Sequence, residues 1–277
     1  PLATLLDCCS AASAEPAKRA RQAARALTMR RRLVGALLLV HRCSGDDATA
    51  AVAVTAQLAQ TFAAACNATD FHALVNLPAA KYVHVMDFSR GIEAAISAKR
   101  GVPCVLRRLA RRPANSRCAR WYVGRYDEVR RNMYTTEMFE NATKAIDGYA
   151  GIRDVHIGLD IGGPAGTPVY APADGVIQSF GYNPEAGDYG HVIVTEHVIE
   201  GVRCWMLFGH LDAASVAFKR VGQVVERGER IGAFGHEYEN GGWAPHVHFQ
   251  VSLIPPATHD MPGVVSAAQR DRARLEY

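Results

Sequence analysis

A mainly β fold, with an antiparallel sheet filling the C-terminal half, is what this sequence predicts. Three observations point to it. Glycine becomes frequent from about Trp121 onward, short β-prone runs there alternate with turn signals, and little of that stretch has helical character. Residues 1 to about 115 differ in texture, being rich in Ala and Arg and poor in Gly. The expected organisation is an Ala/Arg-rich region of unknown role over 1–120, partly helical or disordered, followed by a β domain over 121–277.

In chain order, Ala17 to Leu27 and Ala48 to Ala65 read as helices by propensity, with Pro16 suited to the start of the first and Asp46 or Asp47 to the cap of the second. Tyr82 to Met86 reads as a short strand. Thr167 to Ala171 and Val176 to Phe180 read as strand, turn and strand about Asp174-Gly175. His191 to His197 and Val202 to Phe208 read as two strands that Glu200-Gly201 joins as a hairpin. Gln223 to Ile231 repeats that pattern with a turn near Arg227-Gly228, and Val247 to Leu253 closes the set.

Composition narrows the function. The chain has 277 residues, 49% apolar and 21% charged, the balance of a soluble globular protein long enough to bury a core without staples. A net charge of +4 gives no argument for nucleic acid; the positive charge is local, in Arg30 to Arg32 and in Arg107 to Arg112, and the latter cluster reads as a solvated face. The seven cysteines are odd in number and contain no C-x-x-C pair, so neither a disulfide framework nor a zinc ribbon is indicated. The longest strongly apolar run, Leu33 to Val40, is far shorter than the roughly 20 residues that span a bilayer, so no transmembrane segment is expected. Localisation is left open, leaning to the cytoplasm on the cysteines. The chain opens on Pro1 rather than Met, and its N-terminus is treated as incomplete.

Three fragments of the second half carry potential chemistry: His156-x-x-x-Asp160, Phe208-Gly209-His210-Leu211, and Pro245-His246-Val247-His248-Phe249. A catalytic zinc site takes three nitrogen, oxygen or sulfur ligands and keeps a fourth position for water. On a strand, an H-x-H pair points both rings to one face and sends Val247 to the core. His156 and Asp160 are an even number of residues apart, so an extended segment also presents them to one face, and Gly158 disfavours a helix there. Taken singly these fragments are weak. An H-x-H pair is more often a satisfied structural pair than a ligand pair, and a lone His210 is more often a buried, hydrogen-bonded residue. Their co-occurrence in one β-rich segment is what points to a metal. His191 and His197 read as packing or surface residues, His236 as a loop residue, Trp243 as a packing or cleft-wall residue, and Cys204 as core.

From about Tyr126 to Ser252 the sequence resembles the lysostaphin-type (LytM-like, β-lytic) zinc metallopeptidases. The order H-x-x-x-D, aromatic-x-H-L, H-x-H-Phe is that family's order. Gly166 to Gly175 is similar to its G-T-P-V-x-A-x-x-D-G strand pair, and Val221 to Gly232 to its G-x-x-V-x-x-G-x-x-I-G hairpin. The resemblance implies the family's antiparallel sheet, one Zn²⁺ held by His156, Asp160 and His248, and His210 and His246 as the two non-ligand histidines at the reaction centre. It implies hydrolysis of peptide bonds by a zinc-activated water, with Gly-containing or peptidoglycan cross-link peptides as the usual substrate class. The chain departs mildly from the pattern, with Val247 where Leu is usual and Phe208 where Tyr is common. Glu239 to Gln250 also resembles the peptidase-like middle region of multidomain proteins that carry a kinase-like phosphotransferase and a class III aminotransferase. Beside the metalloendopeptidase stand two alternatives, a non-catalytic zinc-binding or regulatory module and an accessory domain of a metabolic protein.

Overall fold

A computed structural model describes residues 48–89, 121–140 and 145–277. The expected helix over Ala17 to Leu27 and both arginine clusters lie outside these residues. The chain divides into two compact units, Pro1–Phe71 with Val198–Arg203, and His72–His197 with Cys204–Tyr277. In the first unit the Ala-rich run forms α1 (Ala48–Ala68), slightly longer than propensity alone sets it. No described helix is long and apolar enough to cross a membrane.

The second unit is mainly β. The described strands are β1 (Val83–Val85), β2 (Trp121–Gly124), β3 (Glu128–Val129), β4 (Val155–His156), β5 (Leu159–Gly162), β6 (Pro168–Tyr170), β7 (Gly175–Asn183), β8 (Gly190–Ile199), β9 (Val202–Leu211), β10 (Val224–Val225), β11 (Arg230–Ala233), β12 (His246–Ser252) and β13 (Val264–Val265). Helices are few and short: α2 (Glu137–Glu140), α3 (Ala213–Val216) and α4 (Arg270–Glu276). Eight strands form one sheet in the order β1-β2-β5-β12-β9-β8-β7-β10. β1 joins β2 in parallel, so a strand from before Trp121 extends the sheet. The pairs β2–β5, β5–β12, β12–β9, β7–β8 and β7–β10 are antiparallel.

Alternation explains the layering. In β12, Val247 and Phe249 are buried in the core, and Phe249 packs on Phe208 of β9 at 5.4 Å between ring centres. Val192, Val194, Trp205 and Leu207 pack with Tyr189 and Met261 in one apolar cluster, and Tyr149, Val155, Ile157 and Val265 form another. The expected hairpin turn at Glu200-Gly201 is observed with φ of 45° and 88°, the left-handed conformations a two-residue turn of this kind needs.

Two expected hairpins are absent. β6 and β7 flank Asp174-Gly175 but do not pair with each other; β6 pairs with β11 in a separate two-stranded sheet, while β7 pairs with β8 and β10. β10 and β11 likewise belong to different sheets. A turn signal fixes where the chain bends, and partners are then chosen by which apolar faces meet. β12 does not close the set, since β13 follows and joins β4 and β3 in a three-stranded sheet.

Candidate metal centre

The extended run expected over His156 to Asp160 is broken in the middle. His156 lies on β4 of the three-stranded sheet, and Asp160 on β5 of the eight-stranded one. Gly158 makes the crossing with φ of 153°, and a Cβ there would sit 2.4 Å from the His248 ring, so no side chain fits. The crossing turns His156 back over Asp160. On the other side of β5, β12 places His248 directly opposite Asp160.

Three atoms meet there. His156 Nε2 is 3.2 Å from Asp160 Oδ1, His248 Nδ1 is 3.1 Å from the same oxygen, and the two ring nitrogens are 3.0 Å apart. All three side chains are buried, and each offers one ligand atom within 4.8 Å of the others. The opposite atom of each group is already engaged. His156 Nδ1 donates to the Arg125 carbonyl at 2.9 Å, and His248 Nε2 donates to Gln250 Oε1 at 3.1 Å. Asp160 Oδ2 accepts from Arg130 Nη1 at 2.8 Å. These bonds select the tautomers that leave one lone pair each on His156 Nε2 and His248 Nδ1, beside the free carboxylate oxygen. Three lone pairs converging at hydrogen-bond distance repel unless a cation stands among them, and two imidazoles with one carboxylate suit Zn²⁺. The residues present therefore fit a zinc ion.

The protonation states agree. Burial, helped by Arg130, pushes the His156 imidazole down to about 4 against the pull of Asp160, so the ring is neutral near pH 7. Burial alone would raise the Asp160 carboxyl, but with the rings neutral the Arg130 guanidinium still holds it below the usual carboxylate range.

His210 and His246 stand beside the ligands. Their ring centres are 4.2 Å apart, and His246 Nε2 is 3.8 Å from Asp160 Oδ1. His246 reaches the site because it shares a face of β12 with His248, as the H-x-H alternation predicts. His210 arrives by a route the sequence does not show, adopting a left-handed φ of 61° at the end of β9. His210 Nδ1 donates to the Asn240 carbonyl at 2.8 Å, and His246 Nδ1 donates to the Ala244 carbonyl at 2.6 Å. Each ring is thus fixed with Nε2 as its basic atom. Burial pushes both imidazoles down, His210 further because His246 and His248 add to it, while Asp160 opposes the fall at His246.

A cavity of about 200 Å³ adjoins these residues. Trp243, expected as packing or cleft wall, lines it beside Gly242 and Ala244, as do Tyr134, Phe139 and Met261. His236 stays in its loop, stacked on Tyr238 with the ring planes 9° apart. His197 is a satisfied core residue, and His191 stacks on Tyr182. Cys204 is buried, and among the described residues neither it nor Cys66 is in a disulfide.

Sequence reasoning missed Arg130. Its Nε donates to Glu128 Oε2 at 3.0 Å and its Nη1 to the Tyr134 hydroxyl at 3.1 Å as well as to Asp160, and the guanidinium lies over Phe88 at 4.9 Å. Glu128 Oε1 in turn accepts from the Phe88 amide. Gly124 makes room for this network, since a Cβ there would stand 2.7 Å from Arg130 Nη2 and 2.9 Å from Asp160 Oδ2. The one signal in the sequence was Glu128-x-Arg130, a spacing that puts opposite charges on one side of a strand.

Residues 154–257 match the sequence model of peptidase family M23. An uncharacterized metalloprotease of Haemophilus influenzae is 34% identical over 115 residues, 40% of this chain and 22% of that protein. The peptidoglycan DD-endopeptidase ShyA of Vibrio cholerae is 36% identical over 96 residues, 35% of this chain and 20% of that protein. Among solved structures, a zinc containing peptidase from Vibrio cholerae is similar with a TM-score of 0.29 and 29% identity, covering 40% of this chain and 31% of that one. The chain thus spans about a fifth of the length of the curated relatives it matches.

Proposed function

We propose, from the premise that residues 154–257 are a segment of peptidase family M23, that this chain is a zinc-dependent metalloendopeptidase acting on peptides of the peptidoglycan cross-link class. One observation carries the reading. The lone pairs of His156 Nε2, Asp160 Oδ1 and His248 Nδ1 converge at 3.0–3.2 Å, with two neutral histidines beside them. The substrate class is taken from relatives such as the DD-endopeptidase of Vibrio cholerae.

Zinc held by this set would polarise a scissile carbonyl and lower the pKa of a bound water toward about 7. The rest falls to the chain's own groups. Gln250, Arg125 and Arg130 lock the ligands in the orientation they need. His246 Nε2 and His210 Nε2 are basic, neutral and fixed. One takes the proton of the attacking water, which makes that ring a donor beside the oxyanion, and then delivers the same proton to the leaving amine, while the other ring stays neutral. The sequence offers no H-E-x-x-H glutamate, which leaves the proton work to these imidazoles. The burial of all five side chains keeps bulk water from competing in these transfers. An intact ligand set, with both extra histidines present, favours this reading over a non-catalytic module.

The test is cleavage of pentaglycine and of cross-linked peptidoglycan peptides by the zinc-loaded chain, followed by mass spectrometry. Internal cleavage that a chelator stops and zinc restores is expected. Zinc-loaded protein that leaves every such peptide intact contradicts the proposal.

A further inference from the structure

The cavity beside the ligand cluster is largely apolar, lined by Phe88, Met133, Met138, Phe139 and Trp243 among others. Two arginines share this lining. Arg130 is committed to Glu128 and Asp160. Arg153 is not. It is 2% exposed, its Nη2 donates to the Met138 carbonyl, and its guanidinium lies 5.4 Å from the centre of the Phe139 ring. Its Nε is buried without a partner. Among the described residues no carboxylate oxygen comes within 4.0 Å of it. Asp188, which lines the same cavity, accepts from the Tyr189 amide at 2.6 Å and from Asn183 Nδ2 at 3.3 Å. Asp260 also influences Arg153, but from beyond that distance.

A guanidinium out of water and short of partners costs several kcal/mol unless something supplies the counter-charge. Its flat fork matches a carboxylate, which can accept two parallel bonds from it. The place where such a group would lie is the cavity that adjoins the metal ligands. We propose that Arg153 anchors a carboxylate of the peptide bound there, so that the substrate presents an anionic group near the bond to be cut while its apolar parts meet Met133, Met138 and Phe139. Peptides offer that group in two ways, as the C-terminal carboxylate or as an acidic side chain. The inference rests on the reading of this cavity as the peptide site. The competing role for Arg153 is a brace for the 138–139 segment, since its amide also donates to the Phe139 carbonyl. A brace affects stability but does not distinguish a carboxylate from its amide.

The experiment compares matched probes on the zinc-loaded full chain by calorimetric titration. N-acetyl-trialanine is measured as free acid and as C-terminal amide, and N-acetyl-Ala-Glu-Ala amide is measured against its Gln counterpart. At least one acid is expected to bind ~10-fold or more tighter than its neutral partner, the scale of a charge-assisted bond, and which pair shows the preference identifies the source of the carboxylate. In Arg153→Met the preference falls to about one, and in Arg153→Lys it is intermediate, with circular dichroism confirming folded protein. Equal binding of acid and amide by the parent chain, or no binding of either acid, overturns the proposal without any variant. A preference that survives in Arg153→Met also overturns it, because the carboxylate would then be held by the metal. Cleavage scored in parallel keeps the two readings apart. Cleavage without acid preference defeats the anchor alone, and acid preference without cleavage defeats the peptidase alone.

Discussion

Two sets of buried histidines in the second unit behave differently. On β8, His197 is as buried as any ligand, yet both its nitrogens are engaged locally, Nδ1 with the Asp174 carbonyl at 2.9 Å and Nε2 with Thr195 Oγ1 at 2.6 Å. At the candidate metal centre, His156 of β4 and His248 of β12 each have one nitrogen engaged and the other facing the Asp160 carboxylate. Burial is common to both places; the difference is the unspent lone pair. A buried histidine satisfied on both sides is packing, whereas one satisfied on one side and aimed at a like neighbour is free to take a metal.

The contrast breaks most sharply by substitution at both places. His248→Ala is expected to abolish peptide cleavage, while His197→Ala costs about 1–3 kcal/mol of stability in denaturant titration and leaves kcat/KM within about twofold. Loss of activity in a folded His197→Ala would erase the distinction. His246→Ala sharpens it from within the site. Zinc is expected to stay bound while kcat/KM falls at least ~100-fold, the usual scale for an acid–base group. Full activity in that variant removes the proton role.

Arg130→Met comes next. It frees Asp160 Oδ2 and leaves Glu128 buried without its partner. Zinc affinity, measured by chelator competition, is expected to fall ~10–100-fold, the range for partners that orient a ligand. Asp260→Asn should have the smallest effect. Burial, with Asp188 beside it, pushes this carboxyl up to about 7. A carboxyl raised on folding costs stability at high pH and none below its unfolded value near 4. The variant is thus expected to gain on the order of 1 kcal/mol at pH 8 and nothing at pH 4, read from thermal unfolding at the two values. A gain at pH 4 equal to that at pH 8 would mean that charge is not the cause.

What the sequence made legible follows the range of each interaction. The H-x-H pair could be read because alternation along β12 is local, and the Glu200-Gly201 turn because two positive φ values demand particular residues. The β6 and β11 pairing could not be read, since which strand a short apolar run meets depends on the whole sheet. His156 and Asp160 were placed together for a partly mistaken reason. The spacing suggested one extended face, whereas Gly158 turns the chain between two sheets and brings the side chains together across the break. Arg130 was missed because its role exists only once Asp160 folds against it, thirty residues on in the chain, whereas Gln250, two residues from His248 on the same strand, was within reach of the same alternation that pairs His246 with His248.

The central claim is that His156, Asp160 and His248 hold one metal ion. Metal content by inductively coupled plasma mass spectrometry on the purified chain and on its His248→Ala and His197→Ala variants tests it most directly. One zinc per chain in the parent and in His197→Ala, with none in His248→Ala, is the predicted result; zinc retained at full stoichiometry in folded His248→Ala would contradict it.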